Sequence, residues 1–275
     1  MIIAIDLGGT KIRAGIINNG EVDYILYQEC KADGSENDVI EQLYSMIDEL
    51  MSPEVKAIGI GVPSVVDAEK GIVYDVVAIP SWKEVHLKEI LEKRYQLPVS
   101  VDNDCNCFAL GVARYGEAAP FAHSVCITLG TGVGAGIIVD GKLYRGANTG
   151  AGEIGSLPYL DKDYEYYSSS RFFEGLGTTG KDTAMAAAQG DAKALEIMKT
   201  FGTHVGKLIN LIMFTYDPEA VVIGGSISKA FAYFKDAMYE EMQNFPYAKT
   251  VEKIKILCSN TEYVGLFGAA AICEA

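Results

Sequence analysis

A carboxylate at the mouth of a helix and two glycine-rich turns are the residues in this chain with chemistry to offer. In Val99-Ser100-Val101-Asp102-Asn103-Asp104-Cys105-Asn106 a short β-branched run stops in three polar residues and a helical run begins. Asp102, Asn103 and Asp104 present side-chain oxygens to the free amides of that helix, whose positions Phe108, Val112 and Tyr115 share a face and whose stop is Gly116. The everyday use of Asp or Asn at such a place is an N-cap. Asp104 is also the candidate reacting base, a carboxylate that takes a proton from an attacking hydroxyl.

The glycine turns supply the anion side of such chemistry. Residues 2–7 form a strand that ends in Gly8-Gly9-Thr10-Lys11, residues 12–17 form a second strand, and the Asn18-Asn19-Gly20 turn leads into a third over 22–27. A glycine turn between strands lets successive backbone amides close on a phosphate, because no Cβ blocks the approach. Strand, turn, strand differs from the nucleotide loops that lead into a helix, and their lysine-serine pair is missing. Asp6 would face the same phosphates and hold Mg²⁺ directly or through water. The competing use of the turn is a hairpin corner. The pattern returns at 125–144, where a strand enters Gly130-Thr131-Gly132-Val133-Gly134-Ala135-Gly136, a second strand follows, and Asp140-Gly141 turns into a third. A duplicated unit constrains architecture more than either copy does, and two such turns are expected to approach one polyphosphate from opposite sides. Gly224-Gly225, after the strand at 220–223, is a turn where a nucleoside can lie against backbone.

The elements that must hold these residues follow from periodicity. Val39, Leu43, Met46, Ile47 and Leu50 define a helix over 38–51 ended by Pro53, and residues 55–62 a buried strand. Leu87, Ile90, Leu91 and Tyr95 define a second helix, and Pro98 opens the strand that delivers Asp104. Two helical patterns at 181–214, a helix at 227–245, a strand at 254–257 and a small-residue helix at 264–273 complete an α/β chain with a mixed sheet. With 275 residues, 49% hydrophobic and 22% charged, the chain builds a globular core. Its formal charge of −14 repels nucleic acid and anionic membranes, so neither is an expected partner. No apolar run reaches membrane-spanning length, residues 1–5 are too short for an export signal, and the six cysteines read as reduced thiols in the cytoplasm.

With Asp6-Leu7-Gly8-Gly9-Thr10-Lys11, Asp102-Asn103-Asp104-Cys105-Asn106, Leu129-Gly130-Thr131-Gly132-Val133-Gly134, Gly152-Glu153-Ile154-Gly155 and Ile223-Gly224-Gly225 in this order, the chain resembles the ROK family of sugar kinases and sugar-responsive repressors. The resemblance implies an actin-like ATPase (ribonuclease H-like) fold of two domains, with duplicated βββαβα-type cores around a cleft. The domains are expected at 1–115, with a C-terminal helix at about 262–275 packing back on it, and at 116–261. The implied activity is transfer of the γ-phosphoryl group of ATP to a hydroxyl of a hexose or N-acyl amino sugar, with Mg²⁺ as cofactor and a homodimer as assembly. By position, Asp104 is then the base, and Asn103, Asp104, Glu153 and Glu174 hold the sugar. Gly8, Gly9, Thr10, Lys11, Gly130, Thr131 and Gly132 serve the phosphates, and Gly224 and Gly225 the adenosine. Phosphoryl transfer is catalysed mainly by positioning and charge neutralisation, which suits this set.

Two positions depart from the family pattern. Ser156 stands where many members carry a histidine, and neither Cys nor His occurs between Gly155 and Glu174, so no structural zinc is expected there. The tyrosines at 164–167 are candidates to hold that loop by packing instead. Ala78, in Ala78-Ile79-Pro80-Ser81-Trp82, replaces a sugar-contacting asparagine, which alters which hydroxyls are paired. The family's regulators carry a helix-turn-helix region ahead of the first glycine turn; here the first strand opens at Ile2 and the acidic balance disfavours DNA. A catalytically silent sugar-binding protein is the third reading.

Overall fold

A computed structural model describes residues 1–274 as two compact units. The first holds Met1–Ala119, Leu143–Ala151 and the stretch from Thr261 on; the second holds Pro120–Lys142 and Gly152–Asn260.

In the first unit, β1 (Ile2–Leu7), β2 (Lys11–Asn18) and β3 (Glu21–Glu29) precede α1 (Glu36–Leu50), and β4 (Ala57–Val62) follows it. A small antiparallel sheet of β5 (Val65–Asp67), β6 (Ile72–Tyr74) and β7 (Glu84–Val85) comes next, then α2 (Leu87–Tyr95), β8 (Val99–Asn103) and α3 (Asp104–Tyr115). The main sheet runs β3-β2-β1-β4-β8; β1 pairs antiparallel with β2 and parallel with β4, and β4 pairs parallel with β8. Alternation along β1 sends Ile3, Ile5 and Leu7 to one face, where they pack with Leu43, Met46 and Ile47 of α1. Ala4 faces the other side, with Cys107 and Leu110 of α3. Ser35 and Asp38 form a capping box that starts α1.

In the second unit, β9 (Ser124–Leu129), β10 (Val133–Val139) and β11 (Lys142–Tyr144) repeat the opening motif. A hairpin of β12 (Pro158–Tyr159) and β13 (Lys162–Asp163) leads into α4 (Tyr164–Ser168), α5 (Ser170–Gly175), α6 (Gly180–Ala188) and the long α7 (Ala192–Tyr216). Then come β14 (Ala220–Gly224), α8 (Phe231–Met242), α9 (Ala248–Lys253) and β15 (Lys255–Cys258). This sheet runs β11-β10-β9-β14-β15, with β9–β10 antiparallel and β9–β14 and β14–β15 parallel. Strand order and direction therefore match the first sheet, the duplication read in the sequence. The architecture is the two-domain α/β actin-like ATPase fold.

The last helix, α10 (Val264–Ala271), belongs to the first unit and packs on α3 and β1. The expected helix at 227–245 is shorter, because residues 226–230 form a 3-10 turn before α8. Residues 143–151, placed with the second domain by sequence, group with the first unit.

Candidate active site

Asp104 opens α3 directly after β8, so the parallel β4–β8 pairing fixes where its carboxylate emerges. Asn103 is the N-cap: its Oδ1 accepts from the amides of Cys105 and Asn106 at 2.8 and 3.1 Å, and its Nδ2 donates to the Ser64 carbonyl at 3.0 Å. Asn103 fills the cap, and Asp104 Oδ1 also accepts from the Cys105 amide at 2.8 Å. The Asp104 carboxyl is pushed up to about 6, first by burial and then by the charge of Asp6, against a hydrogen bond from Cys105 that pulls it down. Asp6, at the end of β1, is likewise raised by burial, with Arg13 3.2 Å away working the other way. The Asp6 charge opposes ionisation of Asp104, and a pair of carboxyls of this kind is a donor set that suits a divalent cation such as Mg²⁺. No cluster of three or more metal-ligating side chains exists among the described residues.

Asp102, expected to serve the helix amides, is engaged elsewhere, and its partner Arg145 is the residue that sequence reasoning missed. Asp102 is buried, and Arg145 Nε donates to its Oδ2 at 2.6 Å while Asn106 Nδ2 and the Asn103 amide each donate to Oδ1 at 2.8 Å. A charged pair 43 positions apart leaves no local signature.

The first glycine turn closes by Gly8 N–H donating to the Lys11 carbonyl at 3.0 Å, with Thr10 and Lys11 exposed. A Cβ on Gly9 would stand 2.5 Å from the Ala78 Cβ and 2.9 Å from its carbonyl oxygen, so the turn lies directly on Ala78. Here glycine is required by close approach, since its backbone lies outside the left-handed region.

In the second unit the Gly130-Thr131-Gly132 turn closes by Gly130 N–H to the Gly132 carbonyl at 3.1 Å, with Thr131 exposed. Gly225, at φ +84°, follows Gly224 at the end of β14, and a Cβ there would stand 2.4 Å from the Leu129 carbonyl oxygen. The structure thus brings the second glycine turn and the Gly224-Gly225 turn together at the ends of β9 and β14.

Glu153 sits on a loop pressed against β10, where Gly152 and Gly155 closely approach the Ala135 and Val133 carbonyls. Its carboxyl is raised by partial burial and then by the charge of Glu165. Glu165 lies on α4; its Oε2 accepts from the Val133 amide at 3.1 Å and would touch a Cβ on Gly132, and its Oε1 is 3.1 Å from Arg171 Nη1. Glu174, grouped with Glu153 by sequence, instead accepts from the Ser170 hydroxyl at 2.8 Å on its own helix. Glu165 is therefore the acid that the structure sets beside Glu153. Its only sequence signal was a charge set among tyrosines. A cavity of about 410 Å³ lined by Phe121, Asp217, Lys253 and Lys255 contains none of the residues above.

Duplicated sheets, each with a glycine turn after its first strand, and a carboxylate opening the helix after the last strand of the first sheet define an actin-like ATPase fold. The chain belongs to the ROK family, whose model matches residues 2–275. It is 28% identical to a glucokinase of Thermotoga maritima over 98% of this chain and 96% of that protein, and 28% identical to a xylose repressor of Caldicellulosiruptor bescii over 88% of this chain and 69% of that one. A crystal structure of a ROK family glucokinase from Streptomyces griseus in complex with glucose and AMPPNP superposes with a TM-score of 0.82 at 26% identity, covering 98% of each chain. No described helix is long and apolar enough to cross a membrane.

Proposed function

We propose that this protein is an ATP-dependent carbohydrate kinase that transfers the γ-phosphoryl group to a hydroxyl of a hexose or N-acyl amino sugar. The observation that carries the reading is Asp104: placed at the first turn of α3 beside the Asn103 cap and held near 6, it is mostly ionised at neutral pH yet basic enough to accept a proton. As the sugar oxygen bonds to phosphorus and the bond to ADP breaks, the hydroxyl proton passes to Asp104. Asn103 has one Nδ2 hydrogen left for the sugar, and Glu153 offers carboxylate oxygens for its hydroxyls. The glycine turns at 8–11 and 130–132 are the phosphate side, through amides other than those of Gly8 and Gly130, which close the turns, and Gly224 and Gly225 leave backbone open for the adenosine. When bound, Mg²⁺ neutralises phosphate charge, with Asp6 as its holder. The glucose and AMPPNP bound by the Streptomyces griseus relative support both ligand classes.

The xylose repressor relatives supply a second reading, a sugar-responsive regulator. The net charge of −14 weighs against DNA. A nucleotide-consumption assay with Mg-ATP over hexoses, ketoses and N-acyl amino sugars, run beside Asp104→Asn, separates the two. Turnover of at least one sugar is expected, with a loss of at least about a hundredfold in the variant. Equal rates would end the assignment of Asp104.

A further inference from the structure

The acid beside Glu153 is carried on α4, a helix of five residues. A helix that short does not stand on its own hydrogen bonds, because nucleation is costly, so something else fixes it. Asp163 caps it through the Tyr166 amide at 2.6 Å, and Tyr164 N–H donates to the Leu157 carbonyl at 3.1 Å. The Tyr167 hydroxyl donates to Asp161, Glu165 adds its contacts to the Val133 amide and Arg171, and aromatic packing supplies a further hold. The Tyr159 ring stacks on Tyr164 with centroids 4.3 Å apart and planes at 12°, and Tyr167 meets Tyr159 edge-on at 5.4 Å. His204, projecting from α7, ties the group down: its ring lies 4.7 Å from Tyr167, and its Nδ1 is hydrogen-bonded to the Tyr159 hydroxyl at 3.1 Å. Burial holds His204 below the usual histidine range, which keeps the ring neutral and able to pair with that hydroxyl.

Glu165 sits between Tyr164 and Tyr166 on this helix, and its carboxylate reaches the Val133 amide and lies close enough to Glu153 to raise it. We propose that Tyr159 and His204 are positioning residues, an aromatic and histidine clasp that fixes α4 and so aims Glu165 at the β9–β10 glycine turn beside Glu153. The clasp does with ring packing and one hydrogen bond what a metal does in a ligand-held loop. It acts on the sugar side and on the Val133 amide, and leaves Asp104 untouched. The kinetic part of this claim rests on the kinase reading; the structural part does not.

The experiment compares the parent with His204→Ala, Tyr159→Ala, Tyr159→Phe, Glu165→Ala and the His204→Ala/Glu165→Ala double variant, in two arms. Hydrogen–deuterium exchange of the segment 130–136 reads the Glu165 contact without any substrate. Exchange there is expected to rise in His204→Ala and in Glu165→Ala, and to rise no further in the double variant, since both remove the same contact. Steady-state kinetics with Mg-ATP and the best-used sugar of the hexose and amino-sugar panel is the second arm. KM for the sugar is expected to rise about tenfold in His204→Ala and Tyr159→Ala, with KM for ATP within about twofold, while Tyr159→Phe keeps the stacking and recovers most of the loss. If the parent turns over no sugar but the exchange pattern appears, the kinase reading fails and the clasp stands. Unchanged exchange at 130–136 in His204→Ala overturns the clasp. So does a loss in which both KM values move together with thermal stability, which marks a structural role only.

Discussion

Arg145 Nε stands 2.6 Å from Asp102 Oδ2, and the Asp102 side chain is 3% exposed while that of Arg145 is 32% exposed. The pair joins a glycine-rich loop to the residue two before Asp104, and Asp102 Oδ1 is at the same time shared by Asn106 Nδ2 and the Asn103 amide. An ion pair with one buried member contributes little beyond what an apolar pair would, but removing one partner strands a charge.

Arg145→Ala is therefore expected to destabilise the protein by about 2–3 kcal/mol, less than a fully buried pair because Arg145 is partly solvated. Arg145→Ala/Asp102→Asn is expected to be more stable than Arg145→Ala alone, since no buried carboxylate is left unpaired. Urea unfolding at pH 7 measures both. A double variant as unstable as the sum of the singles would show that the two side chains act independently.

The carboxyl of Asp104 predicts opposite trends for activity and stability with pH. Its value is raised from 3.8 to about 6, so between those limits the folded chain holds a proton that the unfolded chain releases. The contribution to stability is then most favourable below about pH 4, declines as pH rises to about 6, and stays at its least favourable above that. Asp104→Asn removes the buried charge. It is expected to be more stable than the parent at pH 8 by roughly 1–2 kcal/mol, allowing for the lost carboxylate at a helix N-terminus, and to show no such gain near pH 4. Activity of the parent is expected to climb about tenfold per pH unit below about 6 and to level off above it, as a base must be ionised to act. Thermal unfolding and kcat/KM profiles over pH 4–9 test both; a stability gain independent of pH would separate Asp104 from the titration.

The part of this fold that was legible in the sequence is the part written in local patterns. Strand, glycine turn, strand and hairpin occur at 2–27 and again at 124–144, and the two sheets share strand order and direction. The cap on α3 was legible because Asn103 lies next to the amides it serves. What escaped were relationships carried by the tertiary structure. Arg145 reaches Asp102 across 43 positions. Glu165 is on a helix too short to show a period, so the stretch from Pro158 to Arg171 showed only its tyrosines, and the family resemblance pointed to Glu174 instead. The three strands β5, β6 and β7, two or three residues each, are below the length at which alternation can be seen.

The seat of Asp104 also depends on how closely α10 approaches α3. A Cβ on Gly268 would lie 1.7 Å from the Cys107 carbonyl oxygen and 2.3 Å from its carbonyl carbon, so the two helices meet backbone to backbone where no side chain fits. Gly268→Ala must push α10 away from α3 and from the β1 face that carries Ala4, opening a cluster that includes Leu110, Leu266 and Ala269. A loss of about 3 kcal/mol or more is expected, as for an overpacked core, with lower kcat because α3 carries Asp104 at its first turn. Gly150→Ala is the matched control: a Cβ there meets nothing within 4 Å and its backbone lies outside the left-handed region, so stability should change by less than about 0.5 kcal/mol. Parallel urea titrations of the two variants decide the matter. Equal stability would mean that helix α10 does not hold α3 in place.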